Sequence, residues 1–203
     1  MFLPIDVEIK GRTFEARSAL EALLTDAHRA TGRDDDGNVI NADHLGTWLG
    51  AMGYLALIDQ IGKVLRWTDR AEQMGTYFEQ ILRQHGKTEA EAAALYGLRN
   101  AMVHSYGLAN TNAKYRDRQH FFTLNVWGGS PLVDLPVTAW DGDPASITEK
   151  TTTTVSLQAV GNLGETLVLD LQESFLRDNS CVTLRQDANT VRAGYFFLFG
   201  KPL

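Results

Sequence analysis

A chain of 203 residues with 44% hydrophobic and 22% charged residues has the composition of a globular protein large enough to bury its own core. Its net charge of −6 lacks the overall basic footprint of a non-specific nucleic-acid binder, while leaving room for a local basic cleft. One cysteine, Cys181, excludes an intramolecular disulfide and is expected as a buried structural thiol. The N-terminus lacks the basic start and apolar core of a signal peptide, and the longest uncharged apolar-rich run, residues 45–58, is too short to span a bilayer. The sequence therefore reads as cytoplasmic, with no membrane partner.

Residues 5–15 alternate weakly, with Ile5, Val7 and Ile9 on one side, and suggest a short strand. Ser18 and Glu21 have capping-box spacing, and Leu20, Leu23, Leu24 and Ala27 give the helix that follows one apolar face, ended by Gly32. A polar loop, residues 33–38, leads to Asn41, the expected cap of a second helix with Leu45, Trp48, Leu49, Met52, Leu55 and Ala56 at helical spacing. Gly46, Gly50 and Gly53 would weaken that helix alone, so their expected benefit is close approach to a neighbouring helix. Thr68 is the expected cap of a third helix, with Met74, Phe78, Ile81 and Leu82 inward. Thr88 and Glu91 form another capping-box pair, opening a helix that buries Leu95, Leu98, Ala101 and Met102 and ends near Gly107.

Beyond residue 107 the chain turns rich in Gly, Pro, Asn, Asp and Thr. Residues 120–126 and 151–157 read as strands, with turn signals at 128–131 and 141–144. Helical periodicity returns at Leu157, Val160, Leu163, Leu167 and Leu171 and runs to about Arg177. Residues 182–185 and 191–199, separated by Asp187-Ala188-Asn189, read as a terminal hairpin. No internal repeat or low-complexity tract is present.

The segment that carries chemistry is residues 95–108, LYGLRNAMVHSYGL. Arg99 and His104 are separated by four residues. Five positions apart on an unbroken helix, they point about 140° away from each other. They can meet one phosphate only if the helix ends nearby or if a second copy completes the site. The residue types suit metal-independent RNA cleavage. Histidine exchanges a proton near neutral pH, arginine holds a phosphate with a planar fork, and RNA supplies its own 2′-hydroxyl nucleophile. Asn100 can orient either partner. The structural alternative is a surface arginine and a helix-end histidine favoured by the helix dipole.

This segment resembles the HEPN superfamily, whose R-x4–6-H motif lies at the end of a bundle helix, commonly with a polar residue after the arginine. Arg99, Asn100 and His104 match position by position. The resemblance implies a single mainly α domain over residues 1–203. Its helical bundle would cover about 18–106 and 157–178; the β-rich insertion at about 107–156 and the C-terminal β-hairpin at about 180–200 are read from the residue pattern and are assigned to no family. The resemblance further implies a homodimer pairing two motifs in one cleft, endoribonuclease activity without a metal or other cofactor, and 2′,3′-cyclic phosphate products. Toxin–antitoxin or anti-phage roles, and an antitoxin or other protein partner, come with it. Other members of that superfamily carry a bundle without catalysis, so a non-catalytic dimeric interaction protein is the second expectation.

Lys114, Tyr115, Arg116 and Arg118, with His120, form a cationic and aromatic stretch suited to guiding an RNA backbone or stacking a base. A solvated loop is the alternative. Asp34, Asp35 and Asp36 fail the calcium-loop pattern, because Gly32 falls where the first acidic ligand is needed. His28, His44 and His85 lack paired ligand spacing and read as packing or surface residues. Ser105 lacks a nucleophile-elbow pattern. The apolar residues of the motif helix, with the helix of residues 45–65, are expected near a two-fold interface.

Overall fold

The computed structural model describes residues 5–9, 12–111 and 118–198. Its centre is the helix α2, Trp48–Val64, whose buried residues include Tyr54, Leu55, Leu57, Ile58 and Ile61. A helix apolar on most sides must be enclosed. Here it is enclosed by α1 (Ala19–Ala30), α3 (Tyr77–Gln84), α4 (Glu89–Ser105) and α5 (Leu157–Arg177). The glycines of α2 make this possible. A Cβ on Gly50 would lie 2.2 Å from the Thr31 Cγ2, and one on Gly53 3.1 Å from the Ala27 Cβ. Both are contacts with α1 and its cap, so the expected close approach occurs.

The helix starts follow local side-chain chemistry. Ser18 accepts from the Glu21 N–H and starts α1. Thr88 and Glu91 complete the capping box of α4. Two expected caps are corrected. Asn41 caps only a short 3-10 turn, Ala42–His44, and Thr47 starts α2. Thr68 lies in a loop, and the reciprocal box of Thr76 and Glu79 starts α3. The apolar spacing marks a buried face without fixing which hydroxyl begins the helix.

The expectation of a mainly helical bundle is also corrected, because the architecture mixes helices with three sheets. Strands β1 (Ile5–Ile9) and β2 (Arg12–Ser18) form an antiparallel hairpin. Strand β3 is Leu65–Trp67. Strands β4 (Ala109–Asn110), β5 (His120–Asn125), β6 (Val133–Asp134) and β7 (Thr152–Ser156) make a four-stranded sheet in the order β4-β5-β7-β6. Its β5–β7 pair is parallel, and the sheet packs on α4 and α5. The two strands expected at residues 120–126 and 151–157 are both in it.

The expected C-terminal hairpin does not form. Strand β8, Val182–Leu184, instead pairs with β3. Residues Ala188–Tyr195 are the helix α6, and β9, Phe196–Leu198, pairs with β2 near the other end of the chain. Asp187 begins α6 by accepting from the Asn189 and Thr190 N–H groups, turning an apparent hairpin loop into a helix start. Short strands carry little alternation, and their pairing partners lie far away in sequence. Among the described residues, no helix is long and apolar enough to cross a membrane.

Candidate active site

Helix α4 reaches Ser105 and stops one residue after the motif histidine. The exit is made by Tyr106, left-handed at φ 47°, and the Gly107 N–H turns back to the Ala101 carbonyl at 3.1 Å. A tyrosine, rather than the glycine beside it, takes the left-handed position that L-residues usually avoid. Gly97, one turn earlier than Ala101, has a separate task. A Cβ there would lie 3.2 Å from the Asn110 Nδ2 and 3.3 Å from the His120 Cδ2, so glycine lets the sheet close on α4 beside the motif.

Despite their angular offset, Arg99 and His104 touch. The Arg99 Nη1 lies 2.9 Å from the His104 Nε2 and donates to the Asn100 Oδ1 at 3.0 Å. Arginine has donors only. The His104 Nε2 therefore receives this bond on its lone pair, and the ring proton sits on Nδ1. All three motif residues thus come together at an exposed helix end within a single copy of the chain.

The other side of Arg99 is fixed from α2. Its Nη2 donates to the Asp59 Oδ2 at 2.8 Å, and the Lys63 Nζ reaches the same oxygen at 2.8 Å. The Asp59 side chain is 7% exposed and that of Arg99 16% exposed, so the pair is largely desolvated. A carboxylate placed there requires charged partners. One carboxylate against two cations leaves the group positive. It opens on a cavity of about 450 Å³ lined by Asp59, Lys63, Thr76, Tyr77, Tyr96 and Arg99.

Asp59 and Lys63 are the residues that sequence reasoning missed. A signal was present. Asp59 is the sole acidic residue between Asp43 and Asp69, inside the most apolar helix. A charge in that setting must find a partner on another element.

The cationic stretch after α4 divides. Lys114, Tyr115 and Arg116 lie outside the described residues. Arg118 reaches the Glu79 Oε1 at 3.2 Å, at the start of α3 next to Thr76 on the cavity wall. His120 is not a surface cation. It is 7% exposed, its Nδ1 lies 2.9 Å from the Thr153 Oγ1, and burial lowers its pKa below the usual histidine value.

The remaining candidates are accounted for by packing. His28 is buried, and its Nε2 lies 2.8 Å from the Glu165 Oε1, which also accepts from the Tyr54 hydroxyl. His85 and Arg70 both bind Asp170, and His44 is exposed. The acidic loop folds over the first of these groups, because a Cβ on Gly37 would fall 2.5 Å from the Glu165 Oε2. Cys181 is half-buried rather than sealed in the core. Among the described residues, no three His, Cys, Asp or Glu side chains cluster as metal ligands.

In comparisons with known proteins, no family model matches this sequence, and no curated protein or solved structure matches it.

Proposed function

We propose that this protein is an endoribonuclease that cleaves RNA through its own 2′-hydroxyl, without a metal. The observation that carries the reading is the 2.9 Å contact between the Arg99 Nη1 and the His104 Nε2 at an exposed helix end. The resemblance of Arg99, Asn100 and His104 to the HEPN motif adds to it. An incoming phosphate competes with His104 for Arg99 and frees the Nε2 lone pair. His104 then takes the proton of the 2′-hydroxyl, the 2′-oxygen bonds to phosphorus, and the 5′-oxygen leaves with a proton from an acid. The products are a 2′,3′-cyclic phosphate and a 5′-hydroxyl. Arg99 and Lys63 balance the charge that develops on the phosphoryl oxygens.

One copy offers one imidazole at this site, whereas the reaction uses both a base and an acid. A two-fold partner bringing a second His104 supplies the acid. The interface would lie at the end of α4, where Tyr106 is 75% exposed, while most apolar residues of α2, Leu49 excepted, are already covered within one chain.

A second reading is favoured by a specific observation. Asp59, Asn100 and His104 occupy both terminal nitrogens of Arg99. This arrangement suits a latch that fixes α4 on α2 in a non-catalytic interaction protein.

The purified protein, incubated with RNA in EDTA, should yield cyclic-phosphate ends, and the His104→Ala variant should not. Wild-type protein inactive across a broad panel of RNAs, or equally active variants, would favour the latch. Sedimentation at micromolar concentration tests the paired site. A strict monomer that still cleaves would remove the second histidine from the mechanism.

A further inference from the structure

Beside the Arg99 cavity lies a second one, of about 270 Å³, framed by β3, the loop before α3, and Arg185 just after β8. Arg66, Arg70 and Arg185 all line it, in a chain whose net charge is −6. The three guanidinium groups are not equivalent. Arg70 is neutralised. Its Nη2 binds both Asp170 oxygens at 2.7 and 2.9 Å, and its Cζ stacks 3.9 Å over the Trp67 ring.

Arg185 is anchored without being neutralised. Its Nε donates to the Gly62 carbonyl at 2.7 Å and to the Leu65 carbonyl at 3.0 Å, and its Cζ lies 4.6 Å from the Tyr77 ring centre. Among the described residues its two terminal nitrogens make no hydrogen bond. Burial lowers the Arg185 pKa, and Arg66, on the exposed side of β3, adds to that, while Tyr77 and Glu72 act in the other direction. Glu72, the one carboxylate on the lining, makes no hydrogen bond to either arginine among the described residues. Neutral acceptors thus hold one guanidinium beside another, leaving a fixed excess of positive charge and free N–H groups. Such an arrangement favours an anion of phosphate geometry.

This cavity is linked to the candidate active site through Tyr77. Tyr77 lines the Arg99 cavity and carries Arg185 against its ring, while the residue remains 49% exposed. Gly62, whose carbonyl anchors Arg185, directly precedes Lys63. A Cβ on Gly62 would fall 2.4 Å from the Tyr77 carbonyl oxygen, so glycine allows α2 and the start of α3 to meet there. The contacts thus run in sequence from His104 and Arg99 through Lys63 and Tyr77 to Arg185 and Arg66.

We infer that the Arg66–Arg185 cavity is a second phosphate subsite, which holds a phosphodiester of the same single-stranded RNA whose scissile phosphate lies at Arg99, with Tyr77 as the stacking surface between them. The inference rests on the ribonuclease reading for its ligand. Single-stranded RNA is suited to such a series, since its backbone follows positive charge and its unpaired bases stack on aromatic rings.

The test is equilibrium binding of a fluorescein-labelled 12-nucleotide RNA of mixed sequence, followed by anisotropy between 50 and 200 mM salt, with His104→Ala in every protein so that the strand stays intact. Arg66→Glu should weaken binding at least about tenfold, and Arg66→Ala should make the salt dependence shallower by about 0.7 in log–log slope, the loss of one single-strand phosphate contact. Arg66 is the primary probe because it is exposed and makes no hydrogen bond among the described residues. Arg185→Gln is the second probe, with a thermal melt to establish that it folds. Arg29→Glu, on the exposed surface of α1, matches the change in net charge and should have little effect. Equal binding by the Arg66→Glu and parent proteins, or equal weakening by Arg29→Glu, would overturn the subsite. Competition by inorganic phosphate at Arg66 without any binding of the RNA would also overturn it, since the site would then serve a small anion. RNA binding that depends on Arg66, in a wild-type protein that never cleaves RNA, would sustain the subsite and remove the nuclease reading alone.

Discussion

Two histidine clusters in this chain each pair an imidazole with a charged partner, of opposite sign in the two cases and in opposite surroundings. At the end of α4, His104 is exposed and accepts from Arg99, whose far side is fixed on buried Asp59. In the interior, His28 is 3% exposed and shares the Glu165 Oε1 with the Tyr54 hydroxyl. Burial, reinforced by the hydrogen bond to Glu165, pushes the Tyr54 pKa well above its ordinary value, so Tyr54 remains a proton-bearing donor. The interior cluster joins α1, α2 and α5 through the two hydrogen bonds on Glu165. The outer cluster leaves a lone pair held only by an arginine that a phosphate can engage. The difference shows that a histidine with a charged neighbour is not thereby a catalytic one. Exposure and a surplus of positive charge separate the two.

The largest effects should come from exchanging the two histidines as targets. His104→Ala should lower RNA cleavage about 10²–10⁴-fold, the usual contribution of a general base. It should alter the unfolding free energy by no more than about 0.5 kcal/mol, as for other surface changes. His28→Ala should do the reverse. It should cost about 1–3 kcal/mol in urea unfolding through unsatisfied buried groups, with cleavage per folded molecule retained. Equal loss of activity in both variants would erase the distinction between the clusters.

Asp59→Asn sharpens the comparison, since Asp59 is the buried anchor of the outer site. It keeps the shape and removes the charge that Arg99 and Lys63 share. A stability loss of about 1–3 kcal/mol is expected, with Lys63 and Arg99 left facing each other. Cleavage should fall as well, mostly through kcat, because Arg99 loses its orientation. An unchanged unfolding curve would show that the Arg99–Asp59 pair is not formed in solution.

A pH titration tests a third histidine, His120, which burial holds below the usual value. The fold favours its neutral form, so the unfolded chain takes up the proton first as the pH drops below about 6.5. Its contribution is complete above that pH and is lost as the pH falls toward the depressed folded value. The urea midpoint should therefore fall more steeply with acidification in the wild type than in His120→Gln. Parallel curves would mean that His120 is solvated and that the sheet does not close on α4 at Gly97.

The smallest expected effect is at the helix exit. Tyr106→Gly should stabilise the protein by about 0.5–1 kcal/mol by relieving the left-handed conformation. If it destabilises instead, the tyrosine ring contributes packing that offsets the backbone strain.

The long helices were legible in the sequence because apolar residues at helical spacing repeat over many turns. The 17 residues of α4 and the 21 of α5 fall where that spacing puts them. The motif residues were legible as types, and so was the need for a nearby helix end. Strand β8 was legible as a strand but not by its partner, and other strands of two or three residues, such as β3 and β6, were not legible. Nor was α6, where a turn-rich stretch after Asp187 continued into a helix instead of reversing.

By itself, the sequence determined most of the buried faces of the long helices, the capping box that starts α4, and the glycines that let α1 approach α2. All of these are local, set by side-chain period and by hydrogen bonds spanning a few residues. Only the tertiary structure decided that Arg99 would meet Asp59 from another helix, that Arg185 would be anchored at Gly62, and that β9 would close on β2 near the opposite end of the chain. Those contacts join residues far apart in sequence. A buried carboxylate announces that it needs a partner, but any of 19 lysines and arginines satisfies that need on paper, and only packing selects which one arrives.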